Sequence, residues 1–167
     1  TRALLAQIAP ALLSLIAQGP DPDMALLNLE RCVESLGAKT IFFELLHENR
    51  RSLELFVDLC SWSQFLTDIL VQNPGMLDQL MDSLMIGGRK DLPRMERELH
   101  ILLTGAADPL PILHGYRNGE WLRIGVRDIL GSADIEETMR DLSNLAQALV
   151  RAVCSLCEAQ LVRQLGT

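Results

Sequence analysis

Few residues in this chain have types and spacings suited to chemistry. Cys154 and Cys157 form a C-x-x-C, the spacing at which two thiolates hold a metal or close a redox disulfide. Such a pair needs a second ligand pair or a strand-to-helix turn. Here it falls within a helical pattern, and the three histidines (His47, His100, His114) are scattered. The expected reading is a pair of small buried hydrophobes. Gly131-Ser132 followed by Asp134-Ile135-Glu136 resembles a turn that holds nucleotide phosphates next to an acid pair that binds magnesium. That chemistry needs carboxylates side by side on a strand, well beyond the turn, because two metal ions share them. Here the acids follow after one intervening residue and open a helix. Ser132 is therefore expected as an N-cap, with Glu136 and Glu137 favouring the positive helix end. Asp21-Pro22-Asp23 reads the same way, since proline suits a helix start and not a central strand. Gly87-Gly88 lacks the lysine and hydroxyl of a phosphate loop. No catalytic residue and no metal ligand is expected.

One constellation remains. Around Trp121, Tyr116, Glu120, Arg123 and Arg127 share one helical stripe, and Arg117, Trp121, Ile124 and Asp128 share the next. Asp128, beside a tryptophan and an isoleucine, is expected to be partly buried and to need an arginine or backbone donors. Arg117, Glu120, Arg123, Arg127 and Asp128 are thus candidates for docking an adjoining domain or an acidic partner. The favoured reading is a structural ion-pair network joining this helix to the last one.

The elements that position these residues are helical throughout. Leucine dominates, hydrophobic residues make up 49% and aromatics 4%, and β-branched runs are nearly absent. A first helix is expected over 2–18, with Pro10 as a bend point, then a second after the Asp21 cap carrying Leu26, Leu29, Val33 and Leu36 on its apolar face. Others follow over 39–48 and 52–60. Ser61 is expected to cap a helix carrying Phe65, Ile69 and Leu70 that Asn73-Pro74 closes, and another is expected over 75–85. Past a boundary at 87–91 come a helix over 92–103, a loop over 105–111, the Trp121 helix and a long last helix over 133–165. In that last helix, Ile135, Met139, Leu142, Ala146, Leu149, Val153 and Leu156 alternate four and three apart, the spacing of a bundle seam. Helices of about three turns do not hold alone in water and must bury their leucines on one another. The expected fold is all-α: an antiparallel multi-helix bundle with short stacked helices in the first half (residues 1–86) and a bundle over 91–167 built on the Trp121 helix and a long C-terminal spine helix.

The net charge of −7, without clustered cations, argues against a nucleic-acid partner. No apolar run reaches the ~20 residues of a bilayer span, so no membrane is expected. The apolar residues 3–17 are broken by Gln7 and Pro10 and lack a cleavage pattern, against a signal peptide. Cysteine usage fits a reducing cytoplasm. Thr1 in place of methionine fits a piece of a longer protein.

Two blocks carry a family resemblance. The first is DPDMALLNLER at 21–31 together with 56–80, where SQFL and then NPGMLDQL occur. The second, more specific, is YRNGEWLRIGVRDILG at 116–131, continuing to LSNLAQA at 142–148. They resemble the helical region ahead of a catalytic domain in glutamine synthetase adenylyltransferases. Cys32 stands where an aromatic is common in that family, and Gly119 where a helix former is, at a cost of about 1 kcal/mol. The resemblance implies a parent enzyme with two nucleotidyltransferase halves, one attaching AMP from ATP to glutamine synthetase and one removing it. It also implies magnesium, an adjoining nucleotidyltransferase domain, and regulation by glutamine and a small nitrogen-signalling protein. The family's catalytic Gly-Ser and D-x-D lie after the long helix, so none transfers to this sequence and no cofactor is expected on it. The reading is a non-catalytic helical domain of such an enzyme. The alternative is a free-standing helical scaffold that binds a partner protein.

Overall fold

The computed structural model describes residues 2–77 and 88–166, and among them the chain forms eight α-helices and no strand. In order these are α1 (Arg2–Gln18), α2 (Pro22–Ser35), α3 (Lys39–Glu48), α4 (Arg50–Trp62), α5 (Gln64–Gln72), α6 (Leu92–Leu103), α7 (Pro109–Ile129) and α8 (Ile135–Leu165). The helix expected over 75–85 lies largely outside the described residues.

Local chemistry sets most of the boundaries. The Asp21 carboxylate accepts the Met24 amide, with Pro22 opening the helix behind it. Asn49 caps α4 through the Ser52 amide. Ser63, not Ser61, caps α5 by accepting the Leu66 amide. Ser61 is instead buried inside α4, where its hydroxyl donates to the Val57 carbonyl. The expected loop over 105–111 is shorter: Asp108 caps α7, and Pro109 and Pro111 lie in its first turn. The cap of α8 is Asp134, whose carboxylate accepts the Glu137 amide at 2.8 Å. Ser132 belongs to the preceding turn, where Gly131 takes φ 62° and the Ser132 amide donates to the Arg127 carbonyl. A carboxylate one residue from the helix start displaces a hydroxyl three residues away.

Two hydrophobic clusters form. The first gathers α1 to α5, with Phe56, Leu55, Leu59 and Leu46 at its centre, and receives Leu122 and Val126 from α7. The second joins Met95 and Leu99 of α6, Leu113 and Ile124 of α7, and Leu145 and Ala148 of α8. Trp121 packs against both. Helix α7 is therefore shared between the two clusters. It approaches α5 closely at Gly125, where a Cβ would collide with Leu66 Cδ1.

On α2 the fully buried positions are Ala25, Asn28 and Cys32, while Leu29, Val33 and Leu36 are partly buried and Leu26 is exposed. Small side chains let α2 lie close to α4. Asn28 Nδ2 donates to the Cys60 carbonyl at 2.9 Å, pairing an oxygen in the last turn of α4.

On α8 the expected seam is overturned except at Leu149 and Leu156, which pack against the second cluster. The side turned to α6 and α7 carries Thr138, Asp141, Leu145 and Ala148, flanked by Leu149, Ala152 and Leu156. Ile135 is 69% exposed and Met139 57%, and Leu142, Ala146 and Val153 also face outward. The helix is rotated because the arginines of α7 draw Asp141 inward. Cys154 and Cys157 are exposed on the same helix, against the expectation of burial, whereas Cys32 and Cys60 are buried. α8 also contains an 18-residue window of mean hydropathy 1.3, long and apolar enough to cross a bilayer, of which 11% is buried. The expectation that no apolar run reaches the ~20 residues of a bilayer span stands beside this one helix, which passes by length and composition alone.

Candidate functional site

Where α6, α7, α8 and residues 88–90 meet, the chain buries a line of charges. Glu120 is the first centre. Its Oε1 accepts Lys90 Nζ at 2.6 Å and its Oε2 accepts Arg123 Nε at 2.8 Å. Lys90 also donates to Glu98 at 2.7 Å, and Glu98 further accepts the Tyr116 hydroxyl at 2.9 Å and Arg94 Nε at 3.0 Å. Asp141, fully buried, is the second centre. Its Oδ2 accepts Arg127 Nη1 at 2.9 Å and lies 3.5 Å from Arg123 Nη2, while Arg89 Nε stands 3.8 Å from Oδ1. Arg123 links the two centres and also donates to the Gly88 carbonyl at 3.3 Å. Among the described residues, Arg123 Nη2 and Asp141 Oδ1 make no hydrogen bond of their own.

The electrostatics follow from this geometry. Burial alone would raise the Glu98 carboxyl. Hydrogen bonds from Lys90, Tyr116 and Arg94 outweigh it and hold the group below its usual range. Burial, the charge of Glu120 and the bond to Glu98 drive the Tyr116 hydroxyl far above the usual phenol range, so it stays a donor. Acids and bases are matched and interlocked. The arrangement is suited to fixing helix positions, with no nucleophile, general base or oxyanion donor set among these groups.

The residues singled out from sequence divide in two. Glu120, Arg123 and Arg127 turn inward, and the two arginines join α7 to α8 as the favoured reading expected. Asp128 does not share their burial: it is exposed and accepts the Thr138 hydroxyl at 3.1 Å. Arg117 is half-buried, its guanidinium 4.6 Å from the Trp121 ring, which meets Phe65 edge-on at 4.9 Å. Sequence reasoning missed Lys90, Glu98 and Asp141. Asp141 alone carried a signal, since it lies three residues after Thr138 and four before Leu145, in phase with the buried face of α8. His47, His100 and His114 are exposed, and the described residues hold no cluster of three or more histidine, cysteine or acidic groups able to take a metal ion.

Beside the network, Trp62, Phe65, Trp121, Ile124, Asp128 and Leu142 line part of an open cleft of about 700 Å³ between α5, α7 and the start of α8. A second cleft of about 530 Å³ runs between α6 and α8, past Leu99, His100, Ala148 and Arg151.

Comparison with known proteins gives a consistent result. The family model described as glutamate-ammonia ligase adenylyltransferase matches residues 53–167. Several curated relatives bear the name bifunctional glutamine synthetase adenylyltransferase/adenylyl-removing enzyme. The one from Thioalkalivibrio sulfidiphilus is 27% identical over 170 residues, covering 99% of this chain and 18% of that protein. The one from Stenotrophomonas maltophilia is 30% identical over 163 residues, covering 96% of this chain and 17% of that protein. The one from Brucella melitensis is 29% identical over 168 residues, covering 99% and 17%. The chain thus spans less than a fifth of the length of these relatives. No solved structure matches it.

Proposed function

This chain belongs to the glutamate-ammonia ligase adenylyltransferase family, and from that membership we propose that it serves as a non-catalytic helical domain of an enzyme that transfers AMP from ATP to glutamine synthetase or removes it. The observation that carries this reading is the family match over residues 53–167, in a chain that corresponds to less than a fifth of its named relatives. The buried network supports it. A helical unit that positions a catalytic neighbour needs fixed helix-to-helix geometry, and buried, matched ion pairs supply register at little net gain in stability.

The same reading assigns ATP and magnesium to a nucleotidyltransferase domain adjoining this one, and no residue of this chain to either. Glutamine synthetase as the protein acted on, control by a small nitrogen-signalling protein, and a cytoplasmic location complete the proposal. Incubating the purified 167-residue chain with ATP, magnesium and glutamine synthetase is expected to give no AMP transfer. Measurable turnover would overturn the non-catalytic assignment. Sequencing the parent gene past Thr167 tests the rest. A Gly-Ser turn followed by a D-x-D in the same reading frame is expected, and an immediate stop codon would defeat the proposal.

A further inference from the structure

Helix α8 has two apolar faces, and the structure fills one of them. The inner face is covered by α6 and α7 as far as Leu156. On the outer face Ile135, Met139, Leu142, Val150, Val153 and Leu161 fall on one stripe of a 3.6-residue period, all exposed, along a helix about 46 Å long. Single exposed hydrophobics are ordinary on a protein surface, but a contiguous stripe of this length marks an interaction site. The stripe does not end at the helix start. Leu142 also lines the 700 Å³ cleft, where Trp62 is 62% exposed and Phe65 51%. Cleft and stripe form one continuous surface, and both tryptophans of the chain lie on it.

We propose that this surface is where the remainder of the same polypeptide docks, through an amphipathic helix that lays its apolar face along α8. Arg140 and Glu158 are both exposed on one flank of the stripe, so the docking helix carries an acidic group near the first and a basic group near the second. The inference rests on the reading that this chain is one domain of a longer enzyme. Relatives align with 96 to 99% of this chain, yet it accounts for only 17 to 18% of their length. In those proteins the same helix is therefore covalently joined to a much longer chain. Such a tether raises the effective concentration of an intramolecular partner far above that of a separate molecule.

The chain carries its own reporters. Cys154 and Cys157 are exposed on α8 beside the stripe, while Cys32 and Cys60 are buried in the first cluster. The experiment is alkylation with iodoacetamide under native conditions, read by peptide mass spectrometry, on the 167-residue chain and on the full-length polypeptide of the same gene. Cys154 and Cys157 are expected to react quickly in the first and about tenfold or more slowly in the second. In the full-length protein, Val150→Asp with Val153→Asp is expected to restore fast labelling of these two thiols. Cys32 and Cys60 should stay protected in that variant, which reports that the fold is intact. Equal rates in both proteins would overturn the inference. So would protection within the 167-residue chain that rises with its concentration and accompanies a dimer in sedimentation, which identifies a second copy. Protection by phosphatidylglycerol vesicles alone would identify a membrane and would also overturn it. Open thiols in a full-length protein that transfers AMP would defeat this inference alone. Protected thiols in a full-length protein with no such activity would defeat the proposed function alone.

Discussion

Arg127 on α7 and Asp141 on α8 meet at 2.9 Å, with the carboxylate fully buried and the guanidinium nearly so. Fourteen residues separate them in sequence, across a helix end, a glycine turn and a new helix start. Their pairing, reinforced by Arg123, sets the rotation of α8 and thereby decides which of its faces remains available.

Asp141→Ala is expected to destabilise the chain by about 3–5 kcal/mol, because Arg127 loses the carboxylate it hydrogen-bonds and Arg123 is left with Glu120 alone. Urea denaturation followed by far-ultraviolet circular dichroism checks it. A loss under about 1 kcal/mol would show that the carboxylate does not hold the two helices.

Gly125→Ala is expected to cost on the order of 1 kcal/mol. The new methyl collides with Leu66, and the gain in helix propensity only partly compensates. The collision is specific, so the same substitution in a Leu66→Ala background is expected to be neutral or stabilising. An additive double-mutant cycle would refute the close approach of α5 and α7 as the cause.

Acid should act through Glu98. Its folded-state pKa lies below the usual value of 4.5. Its contribution is therefore complete above the unfolded value and is lost as pH falls through the lower folded one. Tyr116 has the opposite sign: its folded value is raised above 10.0, so its contribution is complete below that pH and fades as pH climbs beyond it. Thermal melts of Glu98→Gln should show a weaker decline between pH 5 and pH 3 than the parent chain (roughly the range through the free carboxyl pKa and below it). Tyr116→Phe should weaken the alkaline decline. Unchanged limbs in both variants would contradict the network as drawn.

The two candidate caps of α8 are separable. Asp134→Ala is expected to cost about 1 kcal/mol through loss of the Glu137 amide bond, and Ser132→Ala close to nothing. Reversal of that order in denaturation midpoints would restore the serine cap.

Much of the molecule is written locally. Asp21-Pro22, Asn49, Ser63, Asp91 and Asp134 each bring a side-chain oxygen to a free amide a few residues away, so the helices begin where short-range chemistry says they must. The all-α class follows from the same rules, and the stripe through Glu120, Arg123 and Arg127 follows from helical period alone. The family was legible too, because the motifs at 21–31 and 116–131 are runs of contiguous residues.

Tertiary structure decided which faces meet. The sequence of α8 offers two stripes, one of large apolar residues through Ile135, Met139 and Leu142, and one of smaller and polar residues through Thr138, Asp141, Leu145 and Ala148. Periodicity records that both exist but not which one neighbouring helices will cover. The second lies inside because Ala148 and Ala152 permit close packing of α6, and because Arg123 and Arg127 supply charge where Asp141 requires it. Those partners are distant in sequence, and a buried carboxylate is favourable only once they have converged, so the phase of Asp141 with Thr138 and Leu145 did not by itself decide the choice.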